Sequence, residues 1–329
     1  MFKINRSMRS LSELQTLLNQ ALEQSVFPAQ PTALYDPLRY IISIGGKRIR
    51  PILALMSCDL FSKDPNEALG AALAVEYFHN FSLIHDDIMD QADLRRGKPT
   101  VHQKWNTNVG ILSGDALLVK AYQQLDHYQG SLFKDLTTLL SQTAIEVCEG
   151  QQYDVDFETK TTVSKEDYIE MIRLKTAVLL GASLKMGALV AKASKEDAEA
   201  IYNFGIQLGI AFQLQDDYLD AFGDAASFGK RIGGDIINNK KTILFIEALN
   251  SDDALQRQLL DYYSSNEDSE QKIIDVKDIF VKTKAKSNCL SLIEQYTESA
   301  FKYLNQIDIN EPKKQVLVDL ANNLMKRNT

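Results

Sequence analysis

The chain has 329 residues, 45% hydrophobic and 24% charged, as expected of a globular protein with a sizeable core. Its net charge of −8 speaks against general nucleic-acid binding, which needs a basic surface to displace counterions, but leaves room for anionic small molecules where cations gather locally. Three scattered cysteines, Cys58, Cys148 and Cys289, lack CxxC spacing, which argues against a disulfide framework or zinc site and suits a reducing, cytoplasmic setting. No apolar run approaches the roughly 20 residues of a membrane span, and the N-terminus carries no secretory pattern.

The predicted elements are helix after helix. Ser10-Leu11-Ser12-Glu13 reads as a capping box opening an amphipathic helix, with Leu11, Leu14, Leu17, Leu18 and Leu22 as its apolar stripe. Ile169, Ile172, Leu174, Val178, Leu179 and Leu180 lie in another apolar-rich stretch. Only 16 glycines and 7 prolines interrupt the chain. Breaks are expected at 26–36, 44–51, 62–66, 92–108, 129–131, 159–166 and 222–240. The last is rich in Gly, Asp and Lys and reads as a mobile loop. Residues 250–280 are polar and acidic. No boundary stands out, so 1–329 is expected to form one all-α domain.

Two acidic pentads carry the chemistry: Asp86-Asp87-Ile88-Met89-Asp90 and Asp216-Asp217-Tyr218-Leu219-Asp220. On a helix, residues i and i+4 share a face, so Asp86 projects with Asp90 and Asp216 with Asp220. Crowded carboxylates need compensation, which a hard cation such as Mg²⁺ supplies. A single acidic pentad is more often a solvated helix face. Here, apolar residues precede each pentad (Phe81 to His85, and Ile210 to Leu214), which places the acids in largely buried helices.

Basic loops accompany the acids. They are Gly45-Gly46-Lys47-Arg48-Ile49-Arg50-Pro51, Arg95-Arg96-Gly97-Lys98-Pro99, and Gly229-Lys230-Arg231 followed by Asp235, Lys240 and Lys241. Arginine's planar fork suits phosphate, and lysine supplies a point charge.

With these motifs in this order, the chain resembles the trans-isoprenyl diphosphate synthases. Gly150-Gln151 with Asp154, Lys175-Thr176 and Gln213-Leu214-Gln215 extend the match, which runs from about Gly45 to Thr242. The resemblance implies an isoprenoid synthase fold, a helical bundle around a deep central cavity, usually a homodimer. It implies condensation of isopentenyl diphosphate with an allylic diphosphate, with pyrophosphate released and three Mg²⁺ ions in the substrate complex. Asp86, Asp90 and Asp216 would be the main metal ligands, with Asp87, Asp217 and Asp220 orienting them or binding through water. Arg95, Lys175, Lys230 and Lys240 would contact the allylic diphosphate. Gly46, Lys47, Arg50, His79 and Arg96 would form the isopentenyl diphosphate site. Thr176, Gln213 and the Lys175 carbonyl are candidates to stabilise the carbocation. His85 and His102 receive no such direct role.

Phe81 and Phe78, five and eight residues before Asp86, share a helical face. With the small Ser82, they resemble the pocket wall of short-chain synthases making fifteen- or twenty-carbon products, with twenty slightly favoured. Plain core packing would use the same phenylalanines. A terpene cyclase would mix Asn, Ser and Glu in its second motif and need no isopentenyl diphosphate. A head-to-head synthase would space its acids as DxxxD. A regulatory subunit would lose an acidic motif.

Overall fold

The computed structural model describes residues 8–224, 232–250, 253–265 and 267–325. The expected helices are present. The capping box opens α1 (Leu11–Glu23): the Glu13 amide donates to Ser10 Oγ at 3.3 Å and Glu13 Oε2 accepts from the Ser10 amide at 2.8 Å. Leu14 and Leu18 are fully buried, while Leu11, in the first turn, is 38% exposed.

The chain forms two compact units. The first holds residues 1–143 and 182–202, the second 144–181 and 203–329. The first unit contains α2 (Thr32–Ser43), α3 (Ile49–Leu60) and α4 (Leu69–Met89). Every residue of α3 from Pro51 to Leu60 is buried, as are most residues of α4 from Ala71 to Phe81. Helices apolar on all sides belong at a core's centre. Pro51 sits in the first turn of α3, where a missing N–H costs nothing, so the helix begins inside the break expected at 44–51.

The break expected at 92–108 is structured. Strands β1 (Leu94–Arg95) and β2 (Lys98–Pro99) pair antiparallel, Arg95 opposite Lys98. Arg96 and Gly97 join them with φ of 53° and 73°, the doubly positive signature of a two-residue hairpin turn. Helices α5 (Val101–Lys104) and α6 (Thr107–Gln123) follow.

Helix α7 (Gly130–Thr159) carries the chain into the second unit. There α8 (Lys165–Ile172) leads into a π-helical stretch, Arg173–Ala177, and then α9 (Val178–Val190). Helix α10 (Lys195–Phe222) carries the second acidic pentad. The short α11 (Gly234–Ile237) lies within the loop expected at 222–240. Helices α12 (Ile243–Leu249), α13 (Asp253–Ser264), α14 (Glu270–Lys282), α15 (Ala285–Gln306) and α16 (Glu311–Met325) complete the chain. Among the described residues no helix is long and apolar enough to cross a membrane.

Candidate active site

The first acidic pentad closes α4. Asp90 caps the helix, its amide donating to the Asp86 carbonyl at 2.8 Å, so Asp86 and Asp90 are stacked one turn apart. Asp87 faces inward, 2% exposed. Arg95 takes both its oxygens: Nε donates to Oδ2 and Nη2 to Oδ1, each at 2.7 Å. Burial pushes the Asp87 carboxyl up, and the bidentate guanidinium opposes that. Arg95 Nη2 also lies 3.8 Å from Asp86 Oδ2. The hairpin that delivers Arg95 is itself anchored, since Tyr40 Oη on α2 donates to the Pro99 carbonyl at 2.7 Å.

Cations converge in this unit. Arg96 reaches from the hairpin to Gly46, whose missing side chain leaves room for the guanidinium. Arg50 Nη1 lies 3.2 Å from His79 Nε2. A guanidinium only donates, so Nε2 accepts and His79 is a neutral imidazole. Burial first, then Arg50, Arg96, Arg95 and Arg48, hold its pKa well below the usual value. Burial and Arg95 likewise lower the pKa of Arg96. Like charges this close raise the local potential and suit an anion. Lys47 is exposed.

Arg48 behaves differently from its neighbours. Its backbone is left-handed, φ 51°, which turns the side chain inward onto Glu76 and the Ile42 carbonyl. Asn80 Nδ2 completes the network, donating to Glu76 Oε1 at 2.7 Å. Burial and Arg96 lower the Arg48 pKa to about 10. Sequence reading missed this pair. A glutamate inside the apolar run of α4 was the available signal, since a buried acid needs a partner.

Phe78 is fully buried and Phe81 9% exposed, with ring centroids 5.5 Å apart. Phe81 also meets the His85 ring edge-on at 4.8 Å. Ser82, half-buried, donates from Oγ to the His79 carbonyl at 2.9 Å.

The second unit gathers carboxylates. On α10, Asp217 is 4% exposed and Asp220 8%, while Asp216 is half-buried. Asp217 accepts from Tyr168 Oη and from Gln213 Nε2, the latter at 3.2 Å. Burial first and Asp235 next push its carboxyl well above the usual range. Asp220 Oδ2 accepts from the Asp235 amide at 3.0 Å, which ties α11 to the pentad.

Lys175 and Thr176 sit in the π-helical stretch, a widening of the helix that often marks functional sites. The Lys175 ammonium pairs with Asp154 of α7 at 2.5 Å, and Thr176 Oγ1 donates to Gln213 Oε1 at 3.2 Å. A Cβ at Gly150 would fall 2.2 Å from the Lys175 amide nitrogen, so only glycine lets α7 approach so closely. Lys240 is exposed, its amide donating to the Asp235 carbonyl at 2.9 Å. Its neighbour Lys241 instead caps α7, donating to the Phe157 and Glu158 carbonyls at 2.7 and 3.0 Å. Lys230 lies outside the described residues.

Among the described residues, no three His, Cys, Asp or Glu side chains form a ready-made metal cage. The stacked oxygen donors instead fit Mg²⁺, which takes one or two carboxylates and completes its shell with water and phosphate oxygens.

A polyprenyl synthetase family model matches residues 31–280. The chain belongs to the polyprenyl synthetase family. A geranylgeranyl diphosphate synthase of Methanosarcina mazei is 41% identical over 233 residues, 70% of this chain and 72% of that protein. A crystal structure of geranylgeranyl pyrophosphate synthase superposes with a TM-score of 0.94 at 46% identity, covering 98% of this chain and all of that one, 100%. The enzyme of Corynebacterium glutamicum, crystallised with isoprenyl diphosphate and magnesium, is 28% identical with a TM-score of 0.82, over 97% and 98% of the two chains. The polyprenyl synthetase described here is therefore an all-α protein with the isoprenoid synthase fold and a short-chain prenyltransferase.

Proposed function

We propose that this synthetase condenses isopentenyl diphosphate with dimethylallyl, geranyl and farnesyl diphosphates to make geranylgeranyl diphosphate, releasing pyrophosphate. The observation that carries this reading is that each acidic pentad stands with cations of its own unit. In one unit Arg95 takes both oxygens of Asp87 and lies 3.8 Å from Asp86, with Arg50 on neutral His79 nearby in sequence and fold; in the other, Lys175 pairs with Asp154, and Asp217 is held by Tyr168 and Gln213.

In this mechanism Lys47, Arg50 and Arg96 bind isopentenyl diphosphate, with Gly46 leaving space for Arg96 and His79 packed on Arg50. Arg95, Lys175, Lys230 and Lys240 hold the allylic diphosphate. Asp86, Asp90 and Asp216 would hold Mg²⁺, three ions in the substrate complex, while Asp87, Asp217 and Asp220 would orient them or bind through water. Bound Mg²⁺ supplies positive charge where the leaving diphosphate becomes more negative. Thr176 and Gln213, joined by their hydrogen bond, would stabilise the allylic cation. No side-chain base is required, since the released pyrophosphate accepts the final proton.

The twenty-carbon product draws its support from the geranylgeranyl synthase at 46% identity and from the bulk of Phe81 five residues before Asp86. A homodimer is supported by the exposed apolar face of α6, where Ile111, Leu112 and Val119 are 42%, 60% and 58% exposed. The free thiols of Cys58, Cys148 and Cys289 suit the reducing cytoplasm. The test is incubation of the purified protein with Mg²⁺, isopentenyl diphosphate and each allylic primer, followed by product-length analysis. A twenty-carbon product from all three primers is expected. Turnover of an allylic diphosphate without isopentenyl diphosphate would overturn the reading.

A further inference from the structure

The middle aspartates of the two pentads are held by opposite means. Asp87 gives both oxygens to one cation, Arg95. Asp217 gives both to neutral donors, Oδ2 to the Tyr168 phenol and Oδ1 to the Gln213 amide. Burial, Asp235 and Asp216 disfavour its charge, and the two hydrogen bonds oppose them. Two fixed hydrogen bonds therefore decide where this carboxylate points.

The bonds also have a direction. Gln213 donates from Nε2 to Asp217 Oδ1, which leaves its Oε1 to accept from Thr176 Oγ1 at 3.2 Å. The order runs from Tyr168 through Asp217 and Gln213 to Thr176. Tyr168 starts it from a rigid base. It lies in the first turn of α8, capped by Ser164 Oγ, which accepts from the Asp167 amide at 3.0 Å. Its ring is 4% exposed.

We propose that Tyr168 is the positioning residue of the second acidic pentad. Its phenol fixes the Asp217 rotamer, and through it the amide orientation of Gln213 and the alignment of Asp216 and Asp220 toward Mg²⁺. This rests on the assignment of the second pentad as a Mg²⁺ site for the allylic diphosphate.

The substitution Tyr168→Phe removes one hydroxyl and keeps the ring, so the fold persists. Two quantities are measured beside the melting temperature. One is kcat, with KM for isopentenyl diphosphate. The other needs no turnover: the Mg²⁺ concentration giving half of the thermal stabilisation by a non-reactive allylic diphosphate analogue. Loss of this hydrogen bond lowers kcat about ten-fold and raises that Mg²⁺ midpoint about five-fold, with KM for isopentenyl diphosphate within about two-fold of wild type. A lower melting temperature with unchanged Mg²⁺ midpoint and kcat would overturn the proposal, because a purely structural tyrosine gives that result. Asp216→Asn, run in parallel, separates the two layers. If it loses Mg²⁺-dependent stabilisation while Tyr168→Phe behaves as wild type, the metal assignment stands and Tyr168 is refuted. If Asp216→Asn itself leaves the Mg²⁺ midpoint unmoved, the metal assignment fails and the proposal falls with it.

Discussion

The guanidinium of Arg96 fills the space in which a side chain on Gly46 would begin. A Cβ there would lie 2.4 Å from Nη1 and 2.6 Å from Cζ. The glycine backbone has φ of 137°, a conformation other residues rarely adopt. Two separate loops thus determine each other's shape, and Arg96 is aimed by the absence of atoms at Gly46.

Gly46→Ala follows directly. The methyl group expels Arg96 from its place, while Asp87 and Arg95 keep theirs. KM for isopentenyl diphosphate is expected to rise about ten-fold, the scale of one charge-assisted hydrogen bond. KM for the allylic substrate stays near wild type. Steady-state kinetics with each substrate varied in turn checks the split.

His79 makes stability depend on pH. Its folded pKa is held well below normal by burial and by Arg50, Arg96, Arg95 and Arg48, whereas the unfolded chain titrates near about 6.5. Below that value the unfolded state binds the extra proton, so stability is fully present above it and drains away as pH falls. Melting temperature should drop between about pH 7 and pH 5, and the drop should be shallower in His79→Gln. Differential scanning fluorimetry across that range measures both slopes, and parallel slopes would refute the assignment.

Much of this site was legible because its residues are local. The pentads fix their own i,i+4 geometry, and a capping box needs four residues. What was hidden is what depends on distant partners or on backbone sign. Tyr168 lies 49 residues from Asp217, and its type alone announces nothing. Arg48 looks like Lys47 and Arg50 until its left-handed backbone sends it to Glu76. The hairpin at 94–99 has two residues per strand, too few for a period-two pattern, so it read as a break. The π-helical stretch at Arg173–Ala177 leaves helical periodicity nearly intact, so the widening that displays Lys175 left no trace.

Phe81→Ala is expected to lengthen the product. Phe81 stands on the same helix as Asp86, five residues earlier, with its ring against Phe78 and His85. Removing the ring opens space on that face, and a longer chain can occupy it. The cavity also costs stability, about 3–5 kcal/mol for a buried phenylalanine. Mass spectrometry of the products separates the possibilities. Unchanged length with lowered stability would mean that Phe81 only packs the core.

Lys272, in the C-terminal third to which the sequence attached no role, holds the segment that follows the second pentad. Its side chain on α14 is fully buried, and its ammonium donates to Asn239 Oδ1 at 2.7 Å and to the Ser265 carbonyl at 3.2 Å. Asn239 is left-handed, φ 55°, and donates from Nδ2 to the same carbonyl at 3.0 Å. Lys240 is the next residue, so the anchor sets where that cation emerges. Lys272→Met preserves much of the volume but strips Asn239 Oδ1 of its donor. The expected cost is about 1–3 kcal/mol in urea unfolding, the penalty for a half-buried acceptor left unpaired. If Lys240 grips the allylic diphosphate, KM for that substrate rises in the same variant while KM for isopentenyl diphosphate holds. A loss of stability with both constants unchanged would confine Lys272 to the architecture of the second unit.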